Sequence, residues 1–198
     1  YSCVLNNCME SIGKSFASTV EAYFRKWKKW QGAIDHYISP SVFMKDLCVK
    51  AGWNAEQIKV VPNPIDLTTY TVSKKEGEYV AYIGRISKEK GIDILLKAAK
   101  QTPDISYRIV GDGPEKNTLE TYVKNQNIKN VVFDGWQSGK KLADLIDNAR
   151  IIVVPSVWYE NCPLSILETM AVGKIIIGSD IGGISELLPK HLLVHPKD

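Results

Sequence analysis

The stretch IIVVPSVWYENCPLSILETMAVGKIIIGS, residues 151–179, contains two short apolar runs on either side of a segment with helical character. The runs IIVVPS and KIIIGS are rich in isoleucine and valine and are bounded by proline, glycine and serine, which is typical of buried strands. The segment PLSILETMAV has no proline or glycine after its first residue and suits a helix. This order predicts a βαβ unit with parallel strands.

The same alternation extends back to Glu78. Segments typical of strands and helices follow one another as EYVAYIG, DILLKAAKQ, SYRIVG, PEKNTLETYVKNQ, NVVFDG and KLADLIDNA before the βαβ unit. Strands that alternate with helices in this way form a parallel sheet with helices on both faces. The sequence therefore predicts an α/β fold, a doubly wound parallel sheet of the Rossmann-like kind.

Two glutamates mark the loop and helix inside the βαβ unit. Glu160 and Glu168 are separated by seven residues. Pro163 suits the first helical position, which predicts Asn161 or Cys162 as the N-cap. Glu160 then lies in the loop, and Glu168 lies on the helix, roughly 8 Å further along the axis than Pro163.

The start of that helix predicts an anion site between the two carboxylates. The N–H groups around Leu164 and Ser165 have no partner within the helix and lie at the positive end of its dipole, which favours phosphate. Carboxylates accept hydrogen bonds from hydroxyls. The pattern predicts a sugar at Glu160, phosphate at the helix start and a ribose at Glu168. The alternative is a pair of solvated surface glutamates.

A second motif, GRISKEKG at residues 84–91, follows the predicted strand YVAYI. The turn after a parallel strand is where open α/β sheets bind ligands. Arg85 and Lys90 on this turn precede a helix whose dipole disfavours cations, so an anionic ligand explains them better than helix stability does. Arginine offers a bidentate fork to phosphate and lysine a mobile point charge. The alternative is a solvated basic turn.

Six ordered blocks over about 130 residues now resemble one family. The chain is similar to the donor-binding half of the family-four (group 1) glycosyltransferases, which have the two-domain GT-B architecture. The blocks that carry the resemblance are VVPNPID (60–66), YIGRISKEKG (82–91), RIVGDGP (108–114), VVFDGW (131–136), VPSVWYENCPLSILETMAVGK (154–174) and IGGISELL (181–188). The resemblance implies transfer of a sugar from a nucleotide to an acceptor hydroxyl with retention of the anomeric configuration.

The resemblance also implies roles for the residues of both motifs. Arg85 and Lys90, on the turn that begins at Gly84, would hold the donor diphosphate, while Glu160 would contact the donor sugar and Glu168 the ribose.

Two further loops would lie near the nucleotide and its base. They contribute Gly111 and Asp112, and Phe133 and Gly135. Asp112 could instead cap a helix that opens at Pro114, and Phe133 could equally be a packing residue. The segment GDGP lacks the third glycine of a dinucleotide fingerprint, which argues against NAD.

We expect no metal ion and no separate cofactor, because the UDP- or GDP-sugar donor is itself a substrate. The leaving diphosphate must be neutralised by a divalent ion or by fixed cations and backbone dipoles. The chain contains no Asp-x-Asp motif, so Arg85, Lys90 and the helix start near Leu164 are predicted to supply that charge. Glu160 is assigned to sugar positioning and charge stabilisation, although the sequence does not exclude a covalent nucleophile.

The resemblance divides the chain into two predicted domains. Residues 1–66 would be the C-terminal remnant of the acceptor domain, and residues 67–198 the donor-binding domain, truncated at its C-terminus. The first residue is Tyr1 rather than Met, so we expect a fragment or a processed chain. We expect this fragment to bind nucleotide weakly and to lack transferase activity alone.

The N-terminal 66 residues carry two further hypotheses. Cys3 and Cys8 resemble a cysteine pair of some exopolysaccharide-type members, and could be half of a four-sulfur zinc-like site or simply small buried residues. A helix over about residues 11–30 would place basic residues near Trp27, which suits an anionic membrane surface or packing on the acceptor domain.

The composition is that of a soluble globular chain, with 198 residues, 44% hydrophobic, 24% charged and a net charge of +3. The resemblance implies bacterial polysaccharide or lipopolysaccharide synthesis in the cytoplasm, with possible contact at the inner face of the plasma membrane. Expected partners are a saccharide or lipid-linked acceptor, and not nucleic acid. A nucleotide-sugar epimerase and a non-catalytic binding module remain alternatives, and the base, the sugar, the acceptor and the oligomeric state stay open.

Overall fold

The computed structural model describes residues 11–27 and 34–196. By compactness the chain divides into two units: residues 1–38 with 54–59, and residues 39–53 with 60–198. The predicted boundary near residue 66 and the acceptor-domain assignment stay predictions. Cys3 and Cys8 lie outside the described residues, as do residues 28–30 of the predicted first helix.

The helices and strands are numbered in chain order. The helices are Ile12–Trp27 (α1), Val42–Lys50 (α2), Ile92–Gln101 (α3), Lys116–Asn125 (α4), Gly139–Asn148 (α5), Leu164–Val172 (α6) and Ile184–Leu187 (α7). The strands are Tyr37–Ser39 (β1), Ile58–Val60 (β2), Tyr79–Ile83 (β3), Ser106–Val110 (β4), Val131–Gly135 (β5), Ala149–Val154 (β6), Ile175–Ser179 (β7) and Leu193–Val194 (β8). Short 3₁₀ turns lie at Ala55–Gln57, Leu67–Thr69, Lys88–Lys90 and Lys190–Leu192.

Within the described residues, β3 to β8 form a six-stranded sheet in the order β5-β4-β3-β6-β7-β8. Its neighbouring strands all pair in parallel. The chain therefore runs outward from β3 in one direction and then from β6 in the other, so that β3 and β6 lie side by side at the centre. The predicted doubly wound α/β fold is confirmed. The short strands β1 and β2 form a separate two-stranded sheet.

The period of two along β3 explains how both faces of this sheet are covered. Val80 and Tyr82 pack with the apolar residues of α3 and α4. Tyr79 and Ala81 pack instead with Leu145 of α5. Because successive side chains of a strand point to opposite faces, one apolar strand supplies two cores.

A third apolar cluster covers the other end of the sheet. It joins Val154 and Ile176 of β6 and β7 to Ile166 of α6 and Ile184 of α7. The predicted βαβ unit, which consists of β6, α6 and β7, is therefore packed as part of the sheet.

Two predicted helix boundaries are wrong by one or two residues. Helix α6 begins at Leu164, and its N-cap is Pro163 rather than Asn161 or Cys162, because Pro163 has a helical φ of −67° but an extended ψ of 121°. Helix α2 begins after Ser41, whose side chain caps the Met44 N–H.

One other helix also begins later than predicted. The helix expected to open at Pro114 is α4, which starts at Lys116.

Candidate functional site

The site lies at the carboxyl ends of β3 and β6, where the direction of the chain through the sheet reverses. Crevices outside the carboxyl ends of parallel strands, at such a reversal, are where open α/β sheets bind ligands. The turn after β3 covers residues 84–91, and the loop after β6 covers residues 155–163. Both predicted motifs therefore meet at one place.

The structure brings Lys90 and Glu160 into direct contact. The Lys90 ammonium lies 2.5 Å from the Glu160 Oε1 atom, and the Ser156 hydroxyl donates to the same oxygen at 2.9 Å. The Lys90 and Glu160 side chains are 26% and 16% exposed. Partial burial strengthens this ion pair relative to one in water, and it keeps both charged groups at the mouth of the crevice.

The backbones of the turn after β3 and the loop after β6 also touch. Gly91 has a left-handed φ of 66°, and a Cβ there would lie 2.0 Å from the Pro155 carbonyl oxygen. The Val157 N–H donates to the Glu89 carbonyl at 2.9 Å. Only a glycine allows this approach, which places Lys90 against the loop that carries Glu160.

A cavity of about 460 Å³ opens at the ends of β3, β4 and β5. It brings together four of the predicted residues, Gly84, Arg85, Gly111 and Asp112. The other lining residues are Ile83, Val110, Trp136, Gln137 and Leu142. Trp136 and Gln137 were not predicted as site residues, although their position directly after predicted Gly135 was a signal that could have identified them.

The glycines of the GDGP segment have a structural explanation. A Cβ at Gly111 would lie 1.8 Å from the Gly84 carbonyl oxygen, and one at Gly113 would lie 2.2 Å from the Ile86 carbonyl oxygen. The Ile86 N–H donates to the Asp112 carbonyl at 2.8 Å. These glycines therefore let two loops meet backbone to backbone.

Asp112 does not cap α4. Its carboxylate accepts from the adjacent Gly113 N–H at 2.8 Å, and the N-cap of α4 is Glu115. The alternative expectation that Asp112 caps this helix is wrong, because the chain makes a further turn before α4 begins at Lys116.

Phe133 and Gly135 occupy different environments at the end of β5. Phe133 packs against the apolar cluster under α3 and α4, which supports a packing role and leaves contact with a base a prediction. The Gly135 carbonyl accepts from the Gly111 N–H at 2.8 Å. A Cβ at Gly135 would lie 3.7 Å from the Lys116 ammonium, a further cation at this edge that sequence reasoning missed.

The start of α6 has the geometry of an anion site. The Ile166 N–H donates to the Pro163 carbonyl at 3.1 Å. The N–H groups of Leu164 and Ser165 come earlier in the first turn, where no carbonyl of the helix can reach them. These two groups lie at the positive end of the helix, and phosphate binding there stays a prediction.

Glu168 lies one turn further along α6, beside Tyr70. Burial and then the Glu168 carboxylate raise the pKa of the Tyr70 phenol. Because the phenol stays protonated, it can donate a hydrogen bond to the carboxylate. Tyr70 lies outside every motif used above, and no local pattern pointed to it.

Tyr82 supports the turn that carries Arg85. Its hydroxyl donates to the Arg85 carbonyl at 2.7 Å. Burial, followed by the charges of Glu160 and Glu89, raises the pKa of Tyr82 well above its ordinary value. The buried phenol is therefore a permanent donor. The pattern of the predicted strand YVAYI indicated only an apolar strand residue at Tyr82.

Among residues 11–27 and 34–196 no group of three or more His, Cys, Asp or Glu side chains is arranged to hold a metal ion. Arg85 and Lys90, the two cations expected to hold the diphosphate, lie on the turn after β3, and that role stays a prediction.

The chain matches the family model of glycosyl transferases group 1 over residues 70–197. It therefore belongs to this family, and the predicted family is confirmed. The Anabaena protein HepE, solved in complex with UDP and glucose, shares the fold with a TM-score of 0.75 at 24% identity, over 83% of this chain and 50% of that one. The sheet is thus that of a GT-B glycosyltransferase.

Two curated relatives are longer than this chain. The putative teichuronic acid biosynthesis glycosyltransferase TuaC of Bacillus subtilis is 34% identical over 119 residues, which cover 59% of this chain and 28% of that protein. The lipopolysaccharide 1,6-galactosyltransferase of Salmonella typhimurium is 28% identical over 155 residues, which cover 74% of this chain and 43% of that protein. The matched region thus spans less than half the length of each relative.

The Gly111→Ala variant should lose about 1–3 kcal/mol of unfolding free energy, because the new methyl group meets backbone that cannot rotate away. Denaturant unfolding measures this. Gly13→Ala is the matched control, since, apart from its chain neighbours and the nearby backbone of its own helix, nothing lies within 4 Å of a Cβ at Gly13. Equal midpoints for the two variants would contradict the assigned loop contact.

Proposed function

We propose that this chain binds the donor, a nucleotide-diphosphate sugar, for a glycosyltransferase that moves the sugar to a polysaccharide or lipid-linked acceptor. The observation that carries the proposal is the contact between Lys90 and Glu160 at the reversal point of the sheet. A cation suited to phosphate and a carboxylate suited to sugar hydroxyls meet there, beside the start of α6. One ligand with a diphosphate next to a sugar would engage both.

The nucleotide part has a suitable cavity on the other side of the same turn. Its volume of about 460 Å³ falls in the usual range for small-molecule sites. The walls combine the backbone of Gly84 and Gly111 with the side chains of Trp136 and Gln137. Backbone groups and an amide can hydrogen-bond the edge of a base, while apolar walls cover its faces.

The diphosphate would then cross the turn from this cavity toward α6. Arg85 lines the cavity, and Lys90 lies at the far end of the turn, against Glu160. The Leu164 and Ser165 N–H groups add the positive end of a helix. These fixed groups can neutralise the leaving diphosphate as the glycosidic bond breaks, and we propose that they do so without a metal ion.

Glu160 has a positioning part in this proposal. In the structure its carboxylate accepts from Lys90 and Ser156. A donor phosphate would compete for the Lys90 ammonium, and the freed carboxylate oxygen could accept from a sugar hydroxyl. The same negative charge stabilises positive charge that develops at the anomeric carbon. We propose that the anomeric configuration is retained, because in this arrangement the donor site holds one face of the sugar.

The first experiment is calorimetric titration of the chain with UDP, GDP and ADP in the presence of EDTA. We expect one nucleotide to bind. The Arg85→Ala, Lys90→Ala double variant should bind it about 100-fold or more weakly, since a hydrogen bond to a charged group contributes about 1.5–3 kcal/mol and 1.4 kcal/mol is tenfold.

The matched control is Lys97→Ala, Lys124→Ala, which removes the same charge from α3 and α4. Lys97 forms an exposed pair with Asp93, and neither Lys97 nor Lys124 lines the cavity that Arg85 lines, so this variant should bind as the parent does. Equal losses of nucleotide affinity in both double variants would show that the loss of net charge alone explains the effect. Binding that requires added Mg²⁺ would contradict the metal-free clamp.

The stereochemical proposal is tested by supplying the protein with an α-linked nucleotide-sugar donor and a saccharide acceptor. NMR of the initial product from an α-linked donor should show an α-linkage. A β-linked product would overturn retention, and interconversion of the free nucleotide sugar without transfer would identify the alternative, an epimerase of the same fold.

We also propose that α1 touches a membrane surface that presents the lipid-linked acceptor. Ile12, Phe16 and Val20 recur at intervals of four residues and are exposed, so they form an apolar stripe on one helical face. Such a stripe suits the interface of an anionic bilayer. None of the described helices is long and apolar enough to cross a membrane.

Replacing Ile12, Phe16 and Val20 with serine should reduce sedimentation of the protein with vesicles that contain anionic lipid by about tenfold or more, because each buried side chain contributes about 1.5–3 kcal/mol. Neutral vesicles are the control. Unchanged sedimentation of the variant would exclude this stripe as the contact.

A further inference from the structure

The loop after β6 is hydrogen-bonded on both sides of two large aromatic residues. The Val157 N–H donates to the Glu89 carbonyl at 2.9 Å, and the Glu160 carbonyl accepts from the Gly183 N–H at 2.6 Å. A Cβ at Gly183 would lie 1.6 Å from the Asn161 carbonyl oxygen. The backbone between Val157 and Glu160 is therefore held in place by neighbouring turns.

The two residues between these contacts are Trp158 and Tyr159, and both are exposed. Their side chains are 65% and 53% accessible, and their ring centroids lie 5.7 Å apart with an interplanar angle of 52°. Leaving two such rings in water forgoes most of the stabilisation that burial of an aromatic side chain gives. Contiguous exposed aromatic surface commonly marks a binding site.

A third ring extends this surface. Phe43 lies with its ring centroid 5.0 Å from that of Tyr159. Phe43 is fixed at the start of α2, because the Val42 and Phe43 N–H groups donate to the Glu186 carboxylate at 2.9 and 2.5 Å. The three rings are therefore anchored by backbone hydrogen bonds to Glu89, Gly183 and Glu186. We call Phe43, Trp158 and Tyr159 the aromatic surface.

Polar groups adjoin the aromatic surface in the chain. Glu160 directly follows Tyr159, and its carboxylate lies with Lys90 and Ser156. A ligand at this place would meet flat apolar rings and, one residue away along the backbone, a carboxylate, an ammonium and a hydroxyl. That mixture of contacts matches a molecule that is apolar on one face and carries hydroxyls at its rim.

We propose that the aromatic surface stacks against the ring of a hexose. The C–H groups on one face of a hexopyranose carry partial positive charge, and the face of an aromatic ring carries the negative part of its quadrupole. The hydroxyls at the rim of the sugar would then reach the polar cluster. The hexose belongs either to the donor or to a saccharide acceptor, so this inference rests on the proposed function.

A nucleobase also stacks on aromatic rings, but it has fewer rim groups that a carboxylate can accept from. The cavity lined by Gly111, Trp136 and Gln137 already offers a base a concave site of about 460 Å³, which the exposed aromatic surface does not. The observations therefore favour the sugar at the aromatic surface and the base in the cavity.

The test compares three ligand sets on the parent, Trp158→Ala, Tyr159→Ala and Trp158→Phe, by calorimetry. The sets are the nucleoside diphosphates UDP, GDP and ADP; the sugar nucleotides UDP-glucose, GDP-mannose and ADP-glucose; and methyl hexosides with cellobiose and maltose. Saturation-transfer NMR extends the last set to weak binding. Thermal unfolding checks that each variant keeps the parent midpoint, as expected for exposed side chains.

We expect the alanine variants to bind a hexose-containing ligand about threefold to tenfold more weakly, while nucleoside diphosphate binding is unchanged and Trp158→Phe retains most of the parent affinity. A loss confined to sugar nucleotides assigns the surface to the donor hexose. A loss confined to free saccharides assigns it to the acceptor.

Unchanged binding of every sugar ligand by Trp158→Ala and Tyr159→Ala would overturn the stacking proposal. Equal losses for sugar nucleotide and nucleoside diphosphate would also overturn it, since they would indicate a base. Failure of the proposed function can be told apart from failure of the stacking proposal, because in the former case no nucleotide binds the parent protein. In that case, saccharide binding that is lost in the alanine variants would still support the stacking surface, and its absence would overturn it.

Discussion

A Cβ at Gly111 would lie 1.8 Å from the Gly84 carbonyl oxygen, and one at Gly91 would lie 2.0 Å from the Pro155 carbonyl oxygen. The turn after β3 is therefore in backbone contact with the loop after β4 on one side and the loop after β6 on the other. Every candidate site residue on these three segments depends on that packing, because the spacing between loops is set by main-chain atoms rather than by adaptable side chains.

The position of the charged pair follows from this constraint. Lys90 precedes Gly91 and Glu160 lies in the loop after Pro155, so the close approach of the two backbones carries the ammonium to the carboxylate. Two opposite charges held together in a partly buried crevice are already partly desolvated before any ligand arrives. In the proposed function a donor phosphate competes for the Lys90 ammonium, and fixed charges of this kind are the main electrostatic advantage of an enzyme over water.

This sheet edge offers three chemically different surfaces. A cavity of about 460 Å³ lies at the ends of β3, β4 and β5, the charged pair joins the turn after β3 to the loop after β6, and two exposed aromatic residues directly precede Glu160 in that loop. A nucleotide sugar likewise consists of a base, a diphosphate and a sugar. Under the proposed function and the stacking proposal, each surface meets the part of the donor or acceptor that suits its chemistry.

The sequence by itself determined the strand and helix order, the parallel doubly wound sheet and the family, because apolar periodicity and the residues of the motifs are local properties. It also singled out Lys90 and Glu160, but not their contact, which joins positions 70 residues apart. The hydrogen bond from the Tyr82 hydroxyl to the Arg85 carbonyl likewise depended on tertiary packing, and so did the exact start of α6. Such contacts arise only when the sheet brings distant loops within backbone reach, and no local pattern encodes that distance.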